Sequence, residues 1–250
     1  MKRFEGQKVI VTGAASGIGQ ATAHRFAREG ARTCLLDKAW HDQPVSGDAE
    51  ELRLTCDVSD REAVDEAVNR AAETLGGIDV LVNNAGYPVT DLDDDMSDET
   101  WRAHFEADVH GLRYVTQAAR PWLEAARGAI VNTASVAGLG GDRAMEAYDA
   151  AKGAAVRLTN ALAIDLAPQG VRVNAVCPTL TRTGMSRAVE EQPGKLEAFR
   201  QAIPLGRIAE AEEIAAAILF LASDDASFIT GVALPVDGGV TAGNGQPNLA

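Results

Sequence analysis

The sequence predicts a doubly wound α/β fold, in which a parallel sheet of seven strands has helices on both faces. Strand-like β-branched runs alternate with helical patterns along the chain, and this order builds a parallel sheet. A glycine-rich turn at residues 12–19 directly follows the first strand-like run. An eight-stranded α/β barrel has a similar length, but seven strand-like runs are present. No change of composition divides the 250 residues, so we expect a single domain over residues 1–250.

Each predicted element rests on a local pattern. Strands are predicted where short apolar, β-branched runs end in turn residues, at residues 7–12, 32–36, 51–56, 78–82, 129–131, 171–176 and 231–236. Helices are predicted where apolar residues recur every three or four positions, up to Gly30 and at residues 60–75, 97–127, 148–166 and 210–222. Pro121 is expected to bend or break the third of these helices. Residues 38–48 lack a helical period, so we expect a shortened crossover there.

One long segment fits neither pattern. Residues 180–205 carry no strong period and contain Pro193 and Pro204. Irregular segments of this length in compact domains usually serve a function. We therefore expect this segment to act as a lid over the substrate site.

The charge balance restricts the partners. The chain has 23 Lys and Arg against 36 Asp and Glu, a net charge of −13, which disfavours nucleic acid or an anionic membrane as the main partner. No apolar segment approaches the ~20 residues that span a bilayer. No long apolar signal core precedes the first strand-like run. We therefore expect a cytoplasmic protein that acts on a small molecule.

No metal site is expected. The three cysteines, Cys34, Cys56 and Cys177, have the spacing of neither a zinc site nor a disulfide framework. The acidic run at residues 91–95 lacks the glycine and glutamate that a calcium loop needs at its sixth and twelfth positions. His104 and His110 have no ligand partner in the pattern, and a packing or surface role is expected for both.

The glycine-rich turn predicts a pyrophosphate site. Glycines between a strand and a helix let backbone amides approach phosphate oxygens, and the helix N-terminus favours their negative charge. The spacing here is G-x3-G-x-G. The residues expected to contact the pyrophosphate are Gly13, Ser16, Gly17, Ile18 and Gly19.

Asp37 predicts which dinucleotide binds. It ends the second predicted strand, 18 residues after Gly19. A carboxylate at this separation hydrogen-bonds the adenosine ribose hydroxyls of NAD. The same charge would repel a 2′-phosphate. We therefore expect NAD rather than NADP, although Lys38 is adjacent.

Three polar residues predict proton chemistry next to that dinucleotide. Ser135 follows a predicted strand, and ligands of open α/β sheets bind at the carboxyl ends of strands. Tyr148 and Lys152 lie one turn apart on the same face of a predicted helix. A phenol, an ammonium and a hydroxyl that converge there can move a proton on and off an alcohol.

Four motifs, taken in their order along the chain, resemble those of the short-chain dehydrogenase/reductase family. They are T-G-x3-G-x-G at residues 12–19, N-N-A-G at residues 83–86, Ser135, and Y-x3-K at residues 148–152. Ser135 lies thirteen residues before Tyr148, as in the family, and the likeness covers nearly the whole chain. The resemblance implies a Rossmann fold, hydride transfer between a nicotinamide and a secondary alcohol or ketone, and a homotetramer.

The resemblance also implies residue roles. Tyr148 is the acid/base, Lys152 favours the phenolate and holds the nicotinamide ribose, and Ser135 hydrogen-bonds the substrate oxygen. Free tyrosine has a pKa near ~10, so ionisation near neutral pH requires about 4 kcal/mol of differential stabilisation. The implied cofactor contacts are Gly13, Ser16, Gly17, Ile18, Gly19, Asp37, Asp57, Val58, Asn84, Ala85, Gly86, Tyr148, Lys152, Pro178 and Thr183.

Two positions depart from the family pattern. The fourth catalytic position, an Asn in the family, is Asp108 here, three residues before Gly111. The family uses the backbone carbonyl of this residue to hold a water on the proton path to the Lys. Asp108 keeps the carbonyl, and its charge is expected to shift Lys152 or alter the helix. Thr179 replaces the Gly that follows Pro178, which narrows the room beside the nicotinamide.

The leading hypothesis is an NAD-dependent dehydrogenase of a secondary alcohol, or the corresponding ketone reductase. An alternative is a 3-oxoacyl-carrier-protein reductase, against which Asp37 and the net charge argue. Another is a nucleotide-binding regulator that Asp108 has impaired, against which the intact Ser135, Tyr148 and Lys152 argue. The sequence selects no substrate, and the candidate pocket residues are Met145, Thr179, Leu180 and Met185, with Arg143 and Arg182 as possible anion ligands.

Overall fold

A computed structural model describes residues 2–40, 51–87 and 97–243. The strands are β1 (Lys8–Thr12), β2 (Arg32–Asp37), β3 (Glu51–Thr55), β4 (Val80–Asn83), β5 (Ala129–Thr133), β6 (Arg172–Pro178), β7 (Thr181–Arg182), β8 (Ala209–Glu210) and β9 (Ala233–Val236). The helices are α1 (Gly17–Arg28), α2 (Arg61–Leu75), α3 (Asp98–His104), α4 (Leu112–Ala126), α5 (Glu146–Leu166), α6 (Arg187–Glu190), α7 (Pro193–Ala202) and α8 (Ala211–Ala222). The acidic run 91–95 and most of the 38–48 crossover lie outside the described residues.

Seven strands form one parallel sheet in the order β3-β2-β1-β4-β5-β6-β9, which confirms the predicted fold. Ile10 at the centre of β1 pairs with Cys34 of β2 on one side and with Leu81 of β4 on the other. The strand order reverses between β1 and β4, and the crevice at such a switch point is where ligands of open α/β sheets bind.

Alternate residues of the strands face two cores. On β1, Ile10 faces the core beneath α2 and α4, while Val9 and Val11 face the core beneath α1 and α8, because successive strand residues point to opposite faces. Phe26 of α1 and Ile218 of α8 are fully buried in the second core. Burial of each such side chain contributes about 1.5–3 kcal/mol. Within the described ranges, no helix is long and apolar enough to cross a membrane.

The predicted helix at residues 97–127 is interrupted, but not at Pro121. Pro121 lies inside α4, which continues to Ala126, so the predicted break there is wrong. The buried side chains of Val115, Ala119 and Leu123 hold α4 against the sheet on both sides of the proline. The irregularity lies instead at Phe105–Gly111, which winds as a π-helix between α3 and α4.

The segment at residues 180–205 has more regular structure than its pattern predicted. β7 pairs with β8, with Thr181 opposite Ala209, and α6 and α7 follow. Neither helix contains a fully buried residue, and Phe199 on α7 is exposed. Because neither helix has a wide apolar stripe, its helical period was not apparent in the sequence.

Candidate active site

The glycine-rich loop between β1 and α1 packs too closely for side chains. A Cβ on Gly13, whose φ is +62°, would lie 2.8 Å from the Cα of Ala85. A Cβ on Gly19 would lie 2.0 Å from the carbonyl oxygen of Gly13. The loop therefore presents bare backbone at the switch point of the sheet, which is the surface that phosphate oxygens approach most closely.

The N-terminus of α1 has no internal anion. Ser16 occupies the N-cap position without a side-chain hydrogen bond to the helix, and the first turn contains no acidic residue. The first N–H groups of a helix lack partners within the helix and carry a partial positive charge. Ile18, in this first turn, packs its side chain against the core beneath α1 and α8. Together these features fit the pyrophosphate of a dinucleotide.

The loop is tied to the N-N-A-G segment after β4. The hydroxyl oxygen of Thr12 accepts the N–H groups of Asn84 at 2.9 Å and of Ala85 at 3.0 Å. The Asn84 amide in turn donates to the carbonyl oxygens of Thr12 and Gly13, both at 3.2 Å. The predicted cofactor residues of β1 and β4 thus form one connected unit.

Asp37 lies beside the same loop, at the end of β2. One carboxylate oxygen accepts the N–H of Ala15 at 2.9 Å, and the other accepts the N–H of Ala39 at 3.1 Å. Lys38 is exposed, and the partners of the Asp37 oxygens in the described structure are these two backbone N–H groups. The carboxylate therefore stands at the edge of the crevice where the adenosine ribose of a bound dinucleotide would lie.

The remaining predicted cofactor residues surround this crevice. Val58 is buried against Gly111, where a Cβ would lie 2.7 Å from a Val58 methyl carbon. The Asp57 carboxylate accepts the N–H and the hydroxyl of Ser59 at 2.9 and 2.7 Å. Thr183 lies over the glycine-rich loop, because a Cβ on Gly17 would lie 3.0 Å from its methyl group.

Ser135 and Tyr148 lie at the carboxyl edge next to the loop. The Ser135 hydroxyl accepts the N–H of Ala137 at 3.2 Å and donates to the carbonyl oxygen of Pro178 at 3.5 Å. It is 7% exposed, so the short 3-10 turn after β5 holds the hydroxyl in place. Tyr148 is half-buried in the first turn of α5.

Lys152 is buried one turn further along α5. Its Nζ lies 5.6 Å from the centre of the Tyr148 ring and donates to the carbonyl oxygen of Thr133 at 3.2 Å. Nζ also lies 2.8 Å from Oδ1 of Asp108, whose side chain is fully buried. Burial lowers the pKa of Lys152, but Asp108, Tyr148 and Cys177 together outweigh burial, with Asp108 the largest of the three, and the pKa is raised. Burial likewise raises the pKa of Asp108, but Lys152 and His104 outweigh it and the pKa is lowered.

His104 is a site residue that the sequence reasoning missed. Its Nδ1 lies 3.3 Å from Oδ2 of Asp108, and its ring packs edge-on against Tyr87 and Tyr148, with centroids 5.1 and 5.7 Å apart. A carboxylate only accepts hydrogen bonds, so Nδ1 carries the proton. The available signal was the four-residue spacing of His104 and Asp108, which places both on one helical face.

Comparison with known proteins identifies the family. A family model described as Enoyl-(Acyl carrier protein) reductase matches residues 13–241. The chain belongs to the short-chain dehydrogenase/reductase family. This confirms the resemblance that the four sequence motifs indicated.

Three members illustrate the range of this short-chain dehydrogenase/reductase family. The meso-2,3-butanediol dehydrogenase of Serratia marcescens is 46% identical over 253 residues, which cover 99% of each protein. The 3-oxoacyl-acyl-carrier-protein reductase of Thermotoga maritima is 39% identical over 95% of this chain and 99% of its own. A structure from Beutenbergia cavernae, provisionally assigned as an NAD(P)-dependent gluconate 5-dehydrogenase and containing NADP, has a TM-score of 0.90 at 33% identity, over 96% of this chain and 98% of that chain.

One of the two candidate anion ligands of this short-chain dehydrogenase/reductase is already paired with carboxylates. Arg182 is paired with Glu210 at 3.1 Å and with Glu190, so it is not available to bind an anion. Arg143 is exposed, and Met185 is 52% exposed on the segment after β7. No cluster of metal-binding side chains occurs in the described part of the chain.

Proposed function

We propose that this short-chain dehydrogenase/reductase uses NAD to oxidise an uncharged secondary alcohol to a ketone, and catalyses the reverse reduction. The chain is an alcohol dehydrogenase or ketone reductase, as its relatives are. The choice of NAD and of an alcohol substrate rests on one observation. Ser135, Tyr148 and Lys152 lie beside a glycine-rich loop, and Asp37 lies at the edge of that loop.

The loop supports dinucleotide binding. Gly13 and Gly19 let the loop pack closely against Ala85 and against itself, and the N-terminus of α1 presents N–H groups from which a pyrophosphate can accept hydrogen bonds. Of the three N–H groups of the Lys152 ammonium, two face Thr133 and Asp108. The third remains for a hydroxyl of the nicotinamide ribose.

The chain's own residues handle the proton. Bound nicotinamide supplies the hydride acceptor for the alcohol carbon. Tyr148 removes the hydroxyl proton of the alcohol as the hydride leaves, so the alcohol loses two electrons and two hydrogens. Ser135 donates a hydrogen bond to the substrate oxygen and stabilises its negative charge. In the reverse direction, Tyr148 returns the proton to the ketone oxygen.

Asp37 supports NAD over NADP. Its carboxylate already faces the glycine-rich loop through the Ala15 N–H, so a 2′-phosphate would meet negative charge at that edge. Neighbouring Lys38 is exposed and does not neutralise Asp37 in the described structure. One structure similar to this chain contains NADP, so the preference for NAD rests on Asp37.

Vicinal diols are the first substrate class to test. The 46% identity to the meso-2,3-butanediol dehydrogenase supports them. The pairing of Arg182 with two glutamates supports an uncharged substrate, because this candidate anion ligand already has two carboxylate partners. Thr179 and Leu180, at the end of β6, supply small and apolar surface.

The 3-oxoacyl-carrier-protein reductase reading remains the main alternative, supported by the 39% identity to the Thermotoga maritima enzyme. An acyl carrier protein is strongly acidic, and the net charge of −13 opposes its docking. The impaired-regulator reading depends on Asp108. Measurable turnover with any secondary alcohol excludes it.

A substrate screen tests the proposed function. Purified protein is mixed with NAD+ and, in turn, with vicinal diols, simple secondary alcohols and sugar alcohols. In a separate assay it is mixed with a β-ketoacyl thioester and either NADH or NADPH. The expected result is NADH formation with at least one diol or secondary alcohol. Turnover restricted to the thioester with NADPH would favour the carrier-protein alternative and overturn this one.

We also propose a homotetramer in the cytoplasm. Ile164 on α5 is 75% exposed and Phe228 fully exposed, and exposed large apolar side chains are typical of subunit contacts. The three cysteines are buried free thiols, with the pKa of Cys34 raised by burial to about 12, which suits a reducing compartment. Native mass spectrometry of the wild type and of Ile164→Glu tests the assembly.

A further inference from the structure

A buried group of three charged or polar side chains lies behind Tyr148. The side chains of Asp108 and Lys152 are 0% and 9% exposed, and His104 is 2% exposed. Gly86 closes over the pair, since a Cβ there would lie 2.5 Å from Oδ1 of Asp108 and 3.4 Å from Nζ of Lys152. The pair is therefore built into the protein and shielded from water.

Both oxygens of the Asp108 carboxylate have partners. Oδ1 faces the Lys152 ammonium at 2.8 Å. Oδ2 accepts from Nδ1 of His104 at 3.3 Å and from the Tyr87 N–H at 3.4 Å. A carboxylate with this set of donors stays ionised when buried. The positive charge of Lys152 thus has a full negative charge beside it.

This arrangement changes what Lys152 does for Tyr148. A lone ammonium favours the negative phenolate, whereas an ammonium paired with a carboxylate has almost no net charge. We propose that Asp108 and His104 are positioning residues that reduce the support Lys152 gives to the Tyr148 phenolate, so that Tyr148 keeps its proton to higher pH. The site then retains the acid form needed for ketone reduction over a wider pH range.

The other titratable groups near the pair do not replace Asp108. On β6, burial raises the pKa of Cys177 to about 11, so it is neutral below that pH. Tyr87 faces the pair through its backbone N–H and contacts the His104 ring. On α5 itself, Asp149 accepts the N–H of Asp142 at 2.7 Å, in the loop before the helix. Asp108 is therefore the ionised acid in direct contact with Lys152.

The inference rests on the proposed role of Tyr148 as acid/base, and one substitution separates the two. Tyr148→Phe tests that role alone. If Tyr148→Phe retains full turnover, the proposed mechanism fails together with this inference. If it abolishes turnover, the following variants test only the inference.

The decisive experiment is the pH profile of kcat/KM for alcohol oxidation in the wild type and in Asp108→Asn. The amide keeps an oxygen acceptor for Lys152 and removes the charge. The acidic limb should move to lower pH by about one to three units, the shift that a nearby charge causes. At a pH below the wild-type limb, Asp108→Asn is then at least about tenfold faster than the wild type. An unmoved limb, or one moved to higher pH, overturns the inference.

Asp98→Asn is the matched control. It removes one carboxylate from α3, where the Asp98 side chain is 94% exposed and 3.6 Å from Arg102. Its profile should match that of the wild type. If both Asn variants shift equally, the cause is the general charge of the protein, and the inference is wrong.

A second pair of variants tests His104. His104→Phe keeps an aromatic ring between Tyr87 and Tyr148 but removes the donor to Asp108, whereas His104→Gln keeps an N–H donor. Without the donor, the carboxylate charge is less dispersed and opposes Lys152 more strongly. The limb should therefore move to higher pH in His104→Phe, opposite to Asp108→Asn, and stay near the wild type in His104→Gln.

A titration without turnover completes the test. Ultraviolet difference absorbance of tyrosinate, with Tyr148→Phe as the baseline, reports ionisation of Tyr148 directly, and the wild type should ionise at higher pH than Asp108→Asn. If circular dichroism shows Asp108→Asn to be unfolded, the His104 pair decides. Equal profiles for His104→Phe and His104→Gln would then overturn the inference, and an alkaline shift in His104→Phe alone supports it.

Discussion

The Asp37 carboxylate accepts the Ala15 N–H at 2.9 Å and so joins the end of β2 to the glycine-rich loop. One side chain therefore both shapes the loop and sets the charge at its edge. Substitutions that separate these two effects test the cofactor proposal.

Asp37→Asn should relax the choice of cofactor. The amide oxygen still accepts from Ala15, but the charge that repels a 2′-phosphate is gone. Hydrogen bonds to a charged group contribute about 1.5–3 kcal/mol, so kcat/KM with NAD+ should fall by about ten- to a hundredfold while that with NADP+ rises. Steady-state kinetics with both dinucleotides measure this. A wild-type preference for NADP+ would contradict the proposal, and Asp37→Ala shows the added effect of losing the loop contact.

Tyr148→Phe should lower kcat by about 10²–10⁴-fold, the usual contribution of a general acid/base. NADH binding, followed by fluorescence, should stay within a few-fold of the wild type because the aromatic ring remains. Tyr114→Phe on α4 is the control, because the Tyr114 ring packs against the Arg61 side chain, 5.4 Å away and outside the site. Equal losses in both variants would point to general damage rather than to chemistry.

Gly19→Ala should destabilise the loop, although alanine is the better helix former. Its Cβ would lie 2.0 Å from the Gly13 carbonyl oxygen, and such overpacking costs about 1–3 kcal/mol. Gly153→Ala in α5 is the matched control, with nothing within 4 Å of its Cβ. Gly153→Ala should stabilise the protein by up to about 1 kcal/mol, because alanine favours a helix more than glycine does. Urea unfolding of both variants measures the difference, and weakened NADH binding should accompany Gly19→Ala only.

The Asp108–Lys152 pair predicts how stability depends on pH. The lowered pKa of Asp108 contributes stability above its unfolded value of ~3.9, and this is lost as pH falls through the folded pKa. The raised pKa of Lys152 contributes stability at pH values below its unfolded pKa of ~10.4, and this stability is lost as pH rises through the folded pKa. Asp108→Asn should therefore be less stable than the wild type by about 3–5 kcal/mol near neutral pH. Urea unfolding at several pH values should show this difference shrinking at both extremes, and a constant difference would refute the ion pair.

The segment at residues 180–205 remains predicted to close over the substrate. α6 and α7 contain no fully buried residue, whereas the following Ile203 is 2% exposed and anchors the end of the segment. Hydrogen exchange in Pro193–Ala202 should be fast in the free protein and slow when NADH and a ketone are both bound. Identical exchange in the two states would exclude a lid.

The sheet and the motif residues were predictable because their signals are local. Strand-like runs and the spacing of Tyr148 and Lys152 are properties of a few neighbouring residues, and the fold places their ends at one edge. The motif positions could therefore be assigned to one edge of the sheet from local patterns alone, without knowing any distant contact. The position of Asp37 was predictable in the same way, because Asp37 follows the second strand-like run directly.

What the sequence did not reveal depends on distant contacts. His104 looked like a packing residue because the sequence does not show that its ring will lie between Tyr87 and Tyr148 and its Nδ1 against Asp108. Arg182 looked like an anion ligand because its partner Glu210 lies 28 residues away. The helical period of residues 97–127 continued through the π-helical turn, because apolar spacing does not record which carbonyl each N–H meets.

The π-helical turn makes the site sensitive to the number of residues in this helix as well as to their identity. A π turn bonds residues five apart, one more than an α turn. Deletion of Ala107 would allow Phe105–Gly111 to wind as an ordinary α-helix, in which each residue turns by about 100°. Either Asp108 would then rotate away from Lys152 or Leu112 would rotate out of the core. A surface loop can tolerate an insertion or deletion, but this turn cannot without loss of one of these two contacts. Homologues that align with Phe105–Gly111 without a gap are therefore expected to share the π-helical turn.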